Sequence, residues 1–127
     1  MWFISHRGNV AGKNPDLENE PSYLIQATHV STYVELDVWL IGNQFYTGHD
    51  FPQYPVDLEF LKNPKFICHA KNLEALICLI ANRLHCFWHE NDSYVLTSYG
   101  AVWKYPEMYW GGKVACICAD KKPDWIK

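Results

Sequence analysis

The sequence has no run approaching the roughly 18 apolar residues that a membrane-spanning helix needs, so no stable membrane insertion is expected. It also has no basic surplus. Eleven Lys and Arg stand against fourteen Asp and Glu, a formal net charge of −3. These cations are scattered, which argues against nucleic acid and against an anionic membrane surface as partners. A G-x-S-x-G elbow is missing, and with it any support for serine-hydrolase chemistry. The glycine-rich loop of a nucleotide site is missing too. Polar residues begin at Ser5, so the N-terminus does not read as a charged region leading into an apolar signal core. Five cysteines are an odd number without a bridging pattern, and they read as reduced thiols of a cytoplasmic protein.

What the chain has is apolar and aromatic content, 49% and 16% of 127 residues, enough for one folded domain over residues 1–127. Residues 2–5 read as a strand ending at a His6-Arg7-Gly8 turn, followed by a loop of turn formers over 9–19. Pro21 opens a short helix running to about Val30. VELDVWL alternates with period two, placing Val34, Leu36, Val38 and Leu40 on one face and Glu35, Asp37 and Trp39 on the other. Phe45–Thr47 returns as a strand after the Gly42-Asn43 turn. Pro52 and Pro55 break the chain, and DLEFLKN is at most a short helix. KFICHAK is a strand, and Asn72 caps a helix carrying Leu73, Leu76, Ile77, Ile80 and Leu84 at helical spacing. HCFWHE, YVLTSYGAVWKYP (bent at Gly100) and KVACICAD complete the strands. Strands alternating with helices predict an α/β domain with much parallel pairing.

Glu35 and Asp37 share one strand face. On an edge strand that face would simply meet solvent. On a strand covered from both sides, two carboxylates repel and lose hydration, and a divalent cation relieves both costs. His6-Arg7 at the end of the first strand adds an imidazole able to exchange protons near neutral pH and a guanidinium suited to phosphate. His49-Asp50 adds a second imidazole after another strand. Together these are the groups that phosphodiester cleavage needs.

His6-Arg7-Gly8, Glu18-Asn19, Glu35-Leu36-Asp37-Val38 and His49-Asp50, in this order, resemble the N-terminal half of the glycerophosphodiester phosphodiesterases of the PI-PLC-like superfamily. That family carries HRG, PENT, an E-x-D strand and an HD pair. The resemblance implies a TIM-type (βα) barrel with its site at the C-terminal strand ends. It further implies a phosphoric diester hydrolase of lipid metabolism, acting on a small-molecule phosphodiester. His6 and His49 would be the acid–base pair, Arg7 and Lys71 would hold the phosphate, and Glu35 and Asp37 would ligate Mg²⁺ or Ca²⁺.

The chain departs from that pattern in three places. Cys68-His69-Ala70-Lys71 stands where the family reads E-I-K, so His69 takes the place of the third carboxylate. As a ligand it would shift preference toward Mn²⁺ or Zn²⁺; the alternatives are that His69 ligates nothing, that Glu90 substitutes for it, or that metal binding is weak. LENEP replaces PENT, with Glu20 at the threonine. A full barrel takes about 200 residues or more, so the expected fold is a reduced or incomplete barrel whose open edges could form a homodimer. Two rivals stand beside this reading. One is a phosphate-binding relative without activity. The other is a zinc module built from His85, Cys86, His89, Cys116 and Cys118, although a strand points Cys86 away from the flanking histidines.

Overall fold

The computed structural model describes residues 2–91, 94–104 and 116–124. Nine strands and three helices alternate through them. β1 (Trp2–His6) leads through α1 (Pro21–Ala27) to the long β2 (Tyr33–Ile41). β3 (Gln44–Thr47), β4 (Tyr54–Val56) and α2 (Leu58–Leu61) precede β5 (Phe66–Ala70), α3 (Leu73–Ala81) and β6 (Cys86–Phe87). β7 (Tyr94–Leu96), β8 (Val102–Lys104) and β9 (Cys116–Ala119) follow. β4 is a strand that the prolines hide in the sequence. It is an edge strand pairing only with β3, where Pro55 costs no ladder bond on its open side.

β1, β2, β5, β6, β8 and β9 form a mostly parallel stretch, with β9 and β2 flanking β1 and β5 on the far side of β2. The hairpin β2–β3–β4 and the pair β7–β8 are antiparallel. The expected TIM-type barrel is not what forms. The sheet is open: among the described residues β6 and β7 share no ladder. The two segments are joined instead by single bonds, with Ser98 N–H donating to the Cys86 carbonyl, Cys86 N–H to Ser98 Oγ, and His85 Nε2 lying 2.7 Å from Thr97 Oγ1. The reason is the order of elements. A closed parallel barrel needs a crossover helix after each strand, but after β6 the described chain continues as the antiparallel pair β7–β8.

Alternation along the strands separates two cores. Val34, Leu36, Val38, Cys68 and Ala70 face the helices and pack against Leu24 of α1 and Leu79 of α3. The opposite faces bring Ile4, Ile67, Phe87, Val95, Trp103 and Cys118 into a second cluster. Cys68 and Cys86 are buried reduced thiols, and burial pushes both thiol pKa values up.

Asn72 does cap α3: its Oδ1 accepts from Ala75 N–H, and its amide also holds the backbone of Leu40. The buried face of α3 is Ala75 and Leu79, however, while Leu73, Ile77 and Ile80 of the predicted stripe are more than half exposed. α3 is apolar almost all round, so small Ala75, which permits close approach to the sheet, decides which side goes in. No helix among the described residues is long and apolar enough to cross a membrane.

Candidate metal centre and acid–base cleft

The register of the parallel strands assembles the site. His6 on β1 lies beside Glu35 on β2, and Asp37 lies beside His69 on β5. All four side chains sit one layer beyond the Ile4–Ile67 core: His6 ends β1 and His69 is next to last in β5, while Glu35 and Asp37 lie in the interior of the long β2.

Glu35, Asp37 and His69 each present a ligand atom, and the three atoms lie within 4.8 Å of one another. Both carboxylates are buried. His69 Nδ1 is 3.2 Å from Asp37 Oδ1 and 3.6 Å from Glu35 Oε2, yet neither oxygen accepts an aligned hydrogen bond. Two buried, unsatisfied carboxylate oxygens facing one imidazole nitrogen form a cation-ready donor set. The far side of His69 supports this: Nε2–H donates to the His89 carbonyl at 3.2 Å, so Nδ1 is the ring nitrogen turned to the carboxylates and the one that would ligate an ion after losing its proton. The ring also stacks on Phe87 at 4.7 Å. A buried Glu/Asp/His cluster able to coordinate a metal ion is therefore present, and it is the one such cluster among the described residues. Cys86, which the zinc alternative required, faces the helix-side core instead.

Asp37 Oδ2 is held by other groups. Asn19 Nδ2 donates to it at 2.8 Å, Arg7 Nε lies at 3.4 Å and His49 Nδ1 at 3.4 Å. Burial would raise the Asp37 pKa, but His49, His69 and Arg7 outweigh it and keep the carboxyl ionised. Asn19 also fills a gap in the sheet. β1 pairs with β2 as far as Glu35 and β3 begins pairing at Val38, so the Asp37 N–H between them donates to Asn19 Oδ1 at 2.9 Å. Asn19 adopts φ +67°, and its backbone is tied to the Arg7 carbonyl and the Thr47 hydroxyl.

Arg7, at φ +59°, turns its guanidinium back over this cluster. Nη1 donates to Glu18 Oε1 at 3.1 Å and Nη2 to His49 Nε2 at 3.2 Å. An arginine can only donate, so His49 Nε2 carries the lone pair and Nδ1 the proton. His49 is presented by the turn after β3, where Gly48 takes φ +148° and Trp39 Nε1–H donates to its carbonyl. Beside these groups opens a cleft of about 430 Å³, lined by Arg7, Glu18, Asn19 and His49 with Lys13 and Phe51 among its outer residues.

Sequence reasoning missed Asp120. It follows β9 directly, as His6-Arg7 ends β1, and its Oδ1 accepts from His6 Nδ1 at 2.9 Å. The hydrogen bond from His6 is the main reason the Asp120 pKa falls to about 2. Burial opposes protonation of His6, but Asp120 and Glu35 prevail and raise its pKa. The signal was a lone carboxylate closing the apolar CICAD strand. His6, Arg7, Glu35, Asp37, His49 and His69 are thus brought together. Lys71 follows β5, and its ammonium has no partner among the described residues. Glu90 is exposed and outside the cluster.

Compared with known protein families, with curated proteins and with solved structures, the chain matches none. The specific assignment as a glycerophosphodiester phosphodiesterase barrel is therefore unsupported by homology, and the open sheet contradicts its architecture.

Proposed function

We propose that the protein is a metal-assisted phosphodiester hydrolase. The observation that carries this reading is the pairing of two imidazoles with carboxylates, His6 on Asp120 and His49 on Asp37, with Arg7 bonded to His49 and the Glu35/Asp37/His69 cluster beside them. A bound divalent ion would neutralise charge on the phosphoryl group. Arg7 and Lys71 would add cationic donors for the phosphate oxygens. The anion draws the Arg7 fork to itself and frees His49 Nε2, which takes the proton of the attacking water. His6, held protonated by Asp120, gives its proton to the departing alkoxide as the phosphorus–oxygen bond breaks. One diester and one water become a phosphomonoester and an alcohol, and the two histidines exchange protonation states. A polar cleft of this size suits a small, water-soluble alcohol portion.

The test is hydrolysis of bis(p-nitrophenyl) phosphate and glycerophosphocholine by metal-stripped protein, with Mg²⁺, Ca²⁺, Mn²⁺ or Zn²⁺ returned singly. Turnover that requires an ion, disappears in Asp37→Ala and falls about 10²–10⁴-fold in Asp120→Asn is the expected result. Folded protein without turnover on either diester, with any ion, would overturn it and leave an anion-binding protein.

A further inference from the structure

We infer that Asn9 is a positioning residue whose single carboxamide sets both the proton-carrying His6 and the phosphate-holding Arg7, a role that rests on the hydrolase reading above. Asn9 is fully buried. Its Nδ2 donates to Glu18 Oε2 at 3.0 Å and to Asp120 Oδ1 at 3.0 Å, and its Oδ1 accepts from the Tyr23 hydroxyl at 2.9 Å. Each carboxylate grips one working side chain: Glu18 accepts from Arg7 Nη1, and Asp120 from His6 Nδ1.

The orientation of the amide follows from chemistry. Ionised carboxylates only accept, so the NH₂ must face them, and a hydroxyl donating to Oδ1 opposes a flip. Tyr23 can reach that oxygen because Gly8 leaves room for its ring. A Cβ at Gly8 would stand 2.9 Å from Tyr23 Cδ2, in a backbone already at φ +89°. A tight turn, with Asn9 N–H on the His6 carbonyl, returns the amide to the residues it serves. Take the amide away and two carboxylates face each other without the shared donor. Asp120, whose side chain is 36% exposed, can then turn to solvent and release His6, while Glu18, almost buried, loses the contact that aims it at Arg7.

The experiment compares Asn9→Ala and Tyr23→Phe with wild type in the full chain. The metal-free protein offers two readouts that need no turnover. One is the downfield proton NMR signal of His6 Nδ1–H, assigned by its loss in His6→Ala; the other is affinity for inorganic phosphate. Asn9→Ala should broaden or erase the signal and weaken phosphate binding about tenfold, while ion-dependent hydrolysis of bis(p-nitrophenyl) phosphate falls about 10–100-fold. Tyr23→Phe, which keeps the amide but removes its lock, should move the same readouts by a smaller factor. An unchanged His6 signal and phosphate affinity in folded Asn9→Ala would overturn the assignment. If Asn9→Ala does not fold, wild-type values in Tyr23→Phe overturn it instead. A wild-type protein that hydrolyses nothing would sink the hydrolase reading alone, since the signal and the phosphate affinity still decide the role of Asn9.

Discussion

Adding a divalent ion to metal-free protein should raise its melting temperature, and the structure sets the size and pH dependence of the effect. The donor set is two buried carboxylates with unsatisfied oxygens and one imidazole nitrogen. An ion at about 100 times its dissociation constant adds about 2.7 kcal/mol to a state that binds it. With about 2.1 cal/mol/K of unfolding entropy per residue, a 127-residue chain should gain about 10 °C. One imidazole among the ligands favours Mn²⁺ or Zn²⁺ over Mg²⁺ and Ca²⁺.

Without the ion, His69 is the counter-charge of this cluster. Burial lowers its pKa, but Asp37 and Glu35 outweigh that and hold it at about 9. A histidine raised in this way stabilises the metal-free fold fully below its ordinary pKa of about 6.5, and the contribution disappears as pH rises toward 9. Metal-free protein should therefore melt lower at pH 9 than at pH 6.5. The ion must displace that proton, so binding at pH 7 should release about one proton per ion and tighten about tenfold per pH unit up to 9. Scanning calorimetry with and without each ion, and titration calorimetry in two buffers of different ionisation heat, measure these quantities. An equal rise in Asp37→Asn, or binding without proton release, would refute the assignment of the three ligands.

Gly48→Ala should cost at least about 1–3 kcal/mol and displace His49, because a Cβ at φ +148° would meet the Phe51 carbonyl oxygen at 2.1 Å. Gly42→Ala is the control: its Cβ meets nothing within 4 Å, so denaturant unfolding should show a cost of about 1 kcal/mol without loss of diester hydrolysis. His85, stacked on Tyr99 and bonded to Thr97 Oγ1, is held at a pKa of about 4 by burial. Its lowered pKa makes the stabilisation present above about pH 6.5 and lost as pH falls toward 4. Urea midpoints across that range should fall more steeply in wild type than in His85→Gln, and equal slopes would contradict this account.

Period-two alternation is a local property, and it was enough to put Glu35 and Asp37 on one face of one strand and to separate them from the core-facing valines and leucines. The ends of apolar strands likewise marked His6, Arg7 and His49, because polar groups there stand where backbone pairing stops. Capping chemistry located the start of α3 at Asn72 for the same local reason. Other features depended on contacts between distant segments. Alternation could say which residues share a face but not which strands become neighbours, so the open sheet replaced the barrel that the motif order implied. An almost uniformly apolar α3 could not reveal its inward side, which the fit of Ala75 and Leu79 against the sheet decided. Asp120 stands 114 residues from His6, and Asn9 meets it across 111, separations over which no local pattern operates. The pairing of β9 beside β1 brings that carboxylate to the imidazole. The residue types of the candidate centre were thus legible in the chain, whereas the protons and charges they share were decided by strand neighbours that only tertiary packing selects.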